Sequence, residues 1–117
     1  MIRYFEVGTL YEFYKNLLTE KQRNCVDLYY NNDYTMQEIA DEMGITKQAV
    51  SLTIRKAVNK LDKFEDCLRF AKTFFKIEDA KDDIKRLHEK VVNRSDVPED
   101  IKDDIFVLLS NIEKMED

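Results

Sequence analysis

Residues 38–50 read EIADEMGITKQAV, and this stretch decides the fold. Two helices joined by a very short turn need a small residue where they cross, here Ala40. They also need a turn residue free to adopt positive φ, here Gly44. Apolar side chains must fill the angle between them, and Ile39, Met43, Ile45 and Val50 stand at the right spacing. Thr35 with Glu38 is a capping-box signature that starts the first helix, predicted over Met36–Met43. Gly44 ends it. Thr46 caps the second helix, where Val50, Ile54, Ala57, Val58 and Leu61 recur at helical spacing. The pattern is a helix-turn-helix over residues 35–61.

Working outward toward the N-terminus, Thr9 with Glu12 and Thr19 with Gln22 repeat the capping signature and mark two further helix starts. The first helix is expected to reach about Leu18, with Leu10, Phe13, Tyr14, Leu17 and Leu18 as its apolar face. Tyr4 and Phe5 allow an earlier start. The second is expected over about Glu20–Tyr30, with Cys25, Val26, Tyr29 and Tyr30 inward, and the polar run Asn31–Asp33 ends it.

Toward the C-terminus, Phe64, Leu68, Ala71 and Phe75 prolong the apolar seam beyond Leu61. The phase then slips to Ile77, Ile84, Leu87 and Val91, which predicts one long helix with a kink or break near Ile77–Asp79. Residues 93–98 read as a turn, with Ser95 and Asp96 as caps and Pro98 in the first turn of the final helix. That helix is expected over about Glu99–Lys114, with Ile101, Ile105, Leu108, Leu109 and Ile112 inward.

Composition agrees. Hydrophobic residues make up 44% of the 117, enough for a core, while two Gly and one Pro leave little turn chemistry for hairpins. The expected fold is all-α: a wingless helix-turn-helix bundle over residues 1–63 and a long helical extension over 64–117. The extension is expected to pack on the first part or to serve dimerisation or partner binding. The opening MIRYFEVGTL lacks the pattern of a secretory signal, and no apolar run approaches the roughly 18 residues of a membrane span. A cytoplasmic protein without membrane insertion is expected.

Catalysis finds no residues to carry it. Cys25, Cys67 and the single His88 cannot assemble a four-ligand zinc site, and the two cysteines read as buried free thiols. No Gly-rich phosphate loop is present, and Asp82 and Asp83 diverge on a helix. No catalytic residue, metal or cofactor is expected, and the chain does not read as an enzyme.

Charge supplies the functional hint. The net charge is −5, but it is unevenly spread. Residues 46–63 carry five basic groups (Lys47, Arg55, Lys56, Lys60, Lys63) against Asp62 alone, while the flanks on both sides are acidic. A local basic island governs binding more than the total does. With Val50, Ile54 and Ala57 buried, the opposite face presents Gln48, Ser51, Leu52 and Arg55, with Lys47 near the start. In a major groove Gln48 and Arg55 would read base edges, and Lys47 and Lys56 would meet phosphates. Thr46, and Thr35 with Gln37, would add phosphate contacts. Leu52 suits a thymine methyl or a protein surface. Any solvated helix face also carries Lys, Gln and Ser.

From LTEKQRNCVDLYY (18–30) through IRKAVNKL (54–61), the chain resembles the region-4 DNA-binding domain of bacterial sigma factors. Over LYEFYKNLLTEKQRNCVDLYYNNDYTMQEIADEMGITKQAVSLTIRKA (10–57) it is similar to the YlxM-like family of small helix-turn-helix proteins, closely to about Leu61 and loosely beyond. The resemblance implies a DNA-binding regulatory protein. Members are typically encoded beside genes of the signal recognition particle, which implies a role in that pathway and, as the alternative, an accessory protein contacting the particle's protein or RNA. Ser51, Leu52 and Thr53 stand where the sigma pattern often has polar or basic residues. The chain has no room for the other sigma domains, so it is not expected to initiate transcription alone. Paired half-sites make a homodimer the expected state.

Overall fold

The computed structural model describes residues 5–115, which form six α-helices and, among the described residues, no strand. The chain divides into two compact units, one running to Ala71 and one from Lys72. The first unit thus extends past Lys63, because Phe64, Glu65, Phe70 and Ala71 complete its packing.

In the first unit, α1 (Val7–Tyr14) leads through a 3₁₀ turn at Lys15–Leu17 to α2 (Glu20–Val26). A π turn at Asp27–Asn31 prolongs α2, and α3 (Met36–Met43) and α4 (Lys47–Leu68) come next. Helix α4 is the spine: α1, α2 and α3 all pack on it. Its stripe of Val50, Ile54, Ala57, Val58 and Leu61 is buried, as its spacing requires. Leu10, Tyr14, Leu18, Cys25, Val26, Ile39 and Ala40 close the core from the other side. Burial of this apolar area holds the unit together at roughly 25 cal/mol per Å².

The capping boxes at Thr19/Gln22 and Thr35/Glu38 are both formed. The Thr9/Glu12 pair is not one. Helix α1 begins two residues earlier, at Val7, with Glu6 as an N-cap that makes no side-chain cap bond. Thr9 therefore lies within the first turn and not at the N-cap, the position from which a side chain reaches the orphan N–H groups, and Glu12 pairs instead with Lys15 at 3.3 Å. The earlier lead-in residue Tyr4 lies outside the described residues. Two aromatic or aliphatic side chains expected inside are exposed: Leu17, carried outward by the 3₁₀ turn, and Tyr30, shifted off the apolar face by the wider π turn. The polar break is real. Asn32 Nδ2 donates to the Asp27 carbonyl, and Asp33 takes a left-handed conformation, φ 57°.

The long helix breaks at Arg69, not near Ile77–Asp79. Arg69 adopts φ 54°, ψ 32° and ends α4. Helix α5 (Phe70–Val91) then runs unbroken through Ile77–Asp79. The cause lies far away in sequence. The Tyr14 hydroxyl donates to Glu65 Oε1 over 2.5 Å and accepts from the Phe70 N–H over 3.1 Å. Glu65 Oε1 also accepts from the Ala71 N–H over 3.0 Å. Two orphan donors at the start of α5 are thereby satisfied by side chains of the first unit. The Tyr14 ring packs against Phe64 and Phe70. Burial, and then the bond to the Glu65 carboxylate, push the Tyr14 phenol up to about 12.

The second unit comprises the remainder of α5, a turn, and α6 (Glu99–Lys114). Arg94 grips Asp96 through two hydrogen bonds in the turn, so Asp96 is not a cap, and no side chain caps α6. Pro98 is the N-cap residue, one position before the first turn. Ring contact between His88 and Phe106 shows that the chain reverses between α5 and α6. Of the side chains of α6 expected inside, Leu109 alone is buried. Ile105 and Ile112 are half-buried, and Ile101 and Leu108 are exposed. Cys25 is buried, but Cys67, on the outer side of the last turn of α4, is exposed.

Candidate nucleic-acid interface

Three features set the geometry of the helix-turn-helix. Ala40 is 1% exposed, so α3 can approach α4 without a side chain between them. Gly44 caps α3 at φ 69°, and nothing lies within 4 Å of where its Cβ would stand. Only backbone conformation makes a glycine suitable there. Ile45 N–H then closes on the Ala40 carbonyl over 3.1 Å. Ile39 and Val50 are fully buried, and Met43 and Ile45 are half-buried against the core, the Met43 sulfur 3.5 Å from Cys25 Sγ.

The expected contact residues all lie on accessible surface. Thr35, Gln37, Thr46, Lys47, Gln48, Leu52, Arg55 and Lys56 are exposed, and Ser51 is half-buried. Successive residues of a helix turn by about 100°. On that wheel Gln48, Leu52 and Arg55 lie opposite the buried stripe, with Lys56 beside them and Lys47 at the near end. The same wheel adds two exposed residues absent from the expected set, Asn59 and Lys63. They continue the outer line further along α4, and the periodicity that marks the buried stripe is sufficient to find them. Lys60 is drawn aside, donating to Gln22 Oε1 over 3.3 Å. Thr53 turns its hydroxyl onto the Ala49 carbonyl of its own helix at 2.8 Å.

The Thr hydroxyls do two things at once. Thr35 Oγ1 accepts from Glu38 N–H and Thr46 Oγ1 from Ala49 N–H, each over 3.1 Å. Each hydroxyl keeps its own proton for an outside acceptor such as a phosphate oxygen. Gln37 is more committed, its Nε2 donating to Asp41 Oδ1 over 2.9 Å.

A cation at its first residue singles out the start of α4. The first turns of α2, α3 and α6 carry Glu20, Glu38, and Glu99 with Asp100. Acids there complement the positive end of the helix dipole. The first turn of α4 carries no acid and begins with Lys47. The first turns of α1 and α5 also lack an acid, but among the six helices α4 alone begins with a cation. A cation at that pole opposes the dipole, at a cost of about 0.3–1 kcal/mol unless an anion is near.

Residues 2–104 match the UPF0122 family, described as "Putative helix-turn-helix protein, YlxM / p13 like". The chain belongs to the UPF0122 family. Relatives agree along most of its length. A UPF0122 protein of Pediococcus pentosaceus is 37% identical over 111 residues, covering 95% of this chain and 92% of its own. One from Thermoanaerobacter pseudethanolicus is 39% identical over 93 residues, 80% of each chain. One from Lactococcus lactis subsp. cremoris is 45% identical over 62 residues, 53% of this chain and 56% of its own. As a UPF0122 member the chain is a bacterial helix-turn-helix protein. Among the described residues, no group of three or more His, Cys, Asp or Glu side chains is placed to hold a metal, and no helix is long and apolar enough to cross a membrane.

Proposed function

We propose that this protein is a cytoplasmic regulator that binds duplex DNA through the outer face of α4. The observation that carries the reading is the start of α4 at a cation, Lys47, contiguous with the exposed line Gln48–Leu52–Arg55 and Lys56. A helix fits the major groove with its N-terminal residues at the base edges. Gln48 is sized for adenine and Arg55 for guanine, each contributing about 1–3 kcal/mol of discrimination. Lys47, Lys56 and the Thr35 and Thr46 hydroxyls meet phosphates and fix the register. Lys63 lies sixteen residues beyond Lys47, about 24 Å along the axis, and so serves the backbone at the groove's far edge.

One observation favours a second reading. Leu52 stands at the centre of the outer face and is 45% exposed. An apolar side chain there also suits a protein surface, which fits an accessory protein of the signal recognition particle, as the resemblance to YlxM-like proteins implies. The acidic flanks would then complement a basic partner.

Binding measured across a salt series separates the two. A phosphate-dominated complex loses affinity linearly in log salt, and each lost phosphate contact lowers the slope by about 0.9 on duplex DNA. Lys47→Ala and Lys56→Ala should each flatten the slope by about that amount, and Arg55→Ala should relax discrimination between sequences. Absence of a shifted complex at low ionic strength overturns the DNA reading. Retention of a targeting component that Leu52→Asp abolishes supports the second.

A further inference from the structure

The second unit does not bury enough to account for itself. Among its described residues Leu109, at 9% exposure, is the one buried apolar side chain. A two-helix hairpin this small is marginal without further apolar burial. The missing contact is written into α6. Ile101, Ile105, Leu108, Ile112 and Met115 succeed one another at intervals of four, three, four and three, the spacing of a coiled-coil seam. Ile101, Leu108 and Met115 are 46%, 50% and 66% exposed.

The seam is covered within the chain only along one edge, where Ile105 and Ile112 are half-buried. Phe106 touches His88, and Leu109 is buried with Lys102, whose side chain is only 13% exposed. On a wheel of about 100° per residue these three lie roughly a quarter turn or more from the seam. Handedness puts Leu87 of α5, 48% exposed, on the same side of the hairpin as the seam. Leu87 thus lies beside the α6 seam on one partly uncovered face.

We propose that this face docks a second copy of the chain, about a twofold axis, to give a four-helix arrangement. Three arguments favour a second copy as the occupant. None of the five seam residues is charged, so the α6 stripe can be laid on its copy without burying like charges. Isoleucines at the a positions, 105 and 112, with leucine at d position 108, suit helix pairs. The area also suffices. The α6 face is about 24 Å long, and two helices present about 20 Å of width, so two copies bury on the order of 1,000 Å² in total. That is near the lower bound for a specific interface, and a dissociation constant in the micromolar range is expected.

The inference does not rest on nucleic-acid binding, and its readout is mass in solution. Sedimentation of the full chain through the micromolar range should show a monomer–dimer equilibrium. Leu108→Asp should raise the dissociation constant on the order of a hundredfold, with helix content unchanged because Leu108 is half exposed in one chain. Val107→Ser, at a 54% exposed position off the seam, should leave association as it was. If Leu108→Asp loses helix content, the Ile101→Ala/Leu108→Ala pair replaces it, with weakened association expected. A chain that stays monomeric throughout, or a Leu108→Asp protein that dimerises as tightly as the parent, overturns the proposal. So does stable association only with a different protein.

Discussion

Replacing Tyr14 by Phe removes a single oxygen and leaves the ring where it is. That oxygen, on a side chain 1% exposed, donates to Glu65 and accepts from Phe70 N–H. A hydrogen bond to a charged group contributes about 1.5–3 kcal/mol, and a neutral one about 0.5–1.5. Phe70 is an exposed residue, so water can meet its N–H, and Glu65 keeps the Ala71 N–H. The expected loss is therefore about 2 kcal/mol. For a unit of this size that lowers Tm by about 10 °C. The pH dependence is the sharper test. The phenol titrates at 10.0 in the unfolded chain and at about 12 in the folded one. Above the first value the unfolded chain has released a proton that the folded chain still holds. The Tyr14 contribution is thus fully present below about pH 10 and falls by about 1.4 kcal/mol per pH unit as the pH rises toward 12. The Phe variant has no such proton. Urea unfolding followed by far-UV circular dichroism, near pH 8 and again near pH 11, should show the stability gap between parent and variant narrowing. An unchanged urea midpoint near pH 8, or a gap that stays constant into alkali, would refute the account of the α4–α5 junction.

Three further outcomes are expected on the same grounds. Gly44→Ala meets no steric obstacle but must hold φ near 69°, so urea unfolding should show a loss of about 1–2 kcal/mol from left-handed strain alone. Thr46→Ala removes the acceptor for Ala49 N–H and should cost about 1 kcal/mol of stability while also weakening DNA binding, which urea unfolding and a gel-shift titration check in turn. Burial pushes the Cys25 thiol up, whereas Cys67 is exposed. A thiol-specific chromogenic reagent should therefore modify one cysteine at once and the second at the rate of unfolding.

Local patterns are sufficient where local chemistry decides the structure. The bounds Met36–Met43 and Glu99–Lys114, the turn at Gly44 and the buried stripe of α4 are all legible in the sequence. So are the exposed positions along the outer face of α4, Asn59 and Lys63 included once the buried stripe is followed to its end. The break at Arg69 is not legible, because it depends on a tyrosine more than fifty residues earlier. Periodicity alone places the break at Ile77–Asp79, where the apolar phase slips, but α5 absorbs that slip without bending. The Thr9/Glu12 signature fails because Val7 and Leu10 find core contacts that pull the helix start forward. The exposure of Ile101 and Leu108 is hidden for a related reason: a sequence reports which helix face is apolar, not whether the same chain covers it.

Lys47 at the head of α4 opposes the dipole of its own helix. A chain selected purely to survive heating would place glutamate at that position, and glutamate there would repel the phosphates of the proposed ligand. Thermal robustness and the proposed phosphate contact therefore pull on one side chain in opposite directions: Lys47→Glu should raise the unfolding temperature while weakening any anion binding at the head of α4.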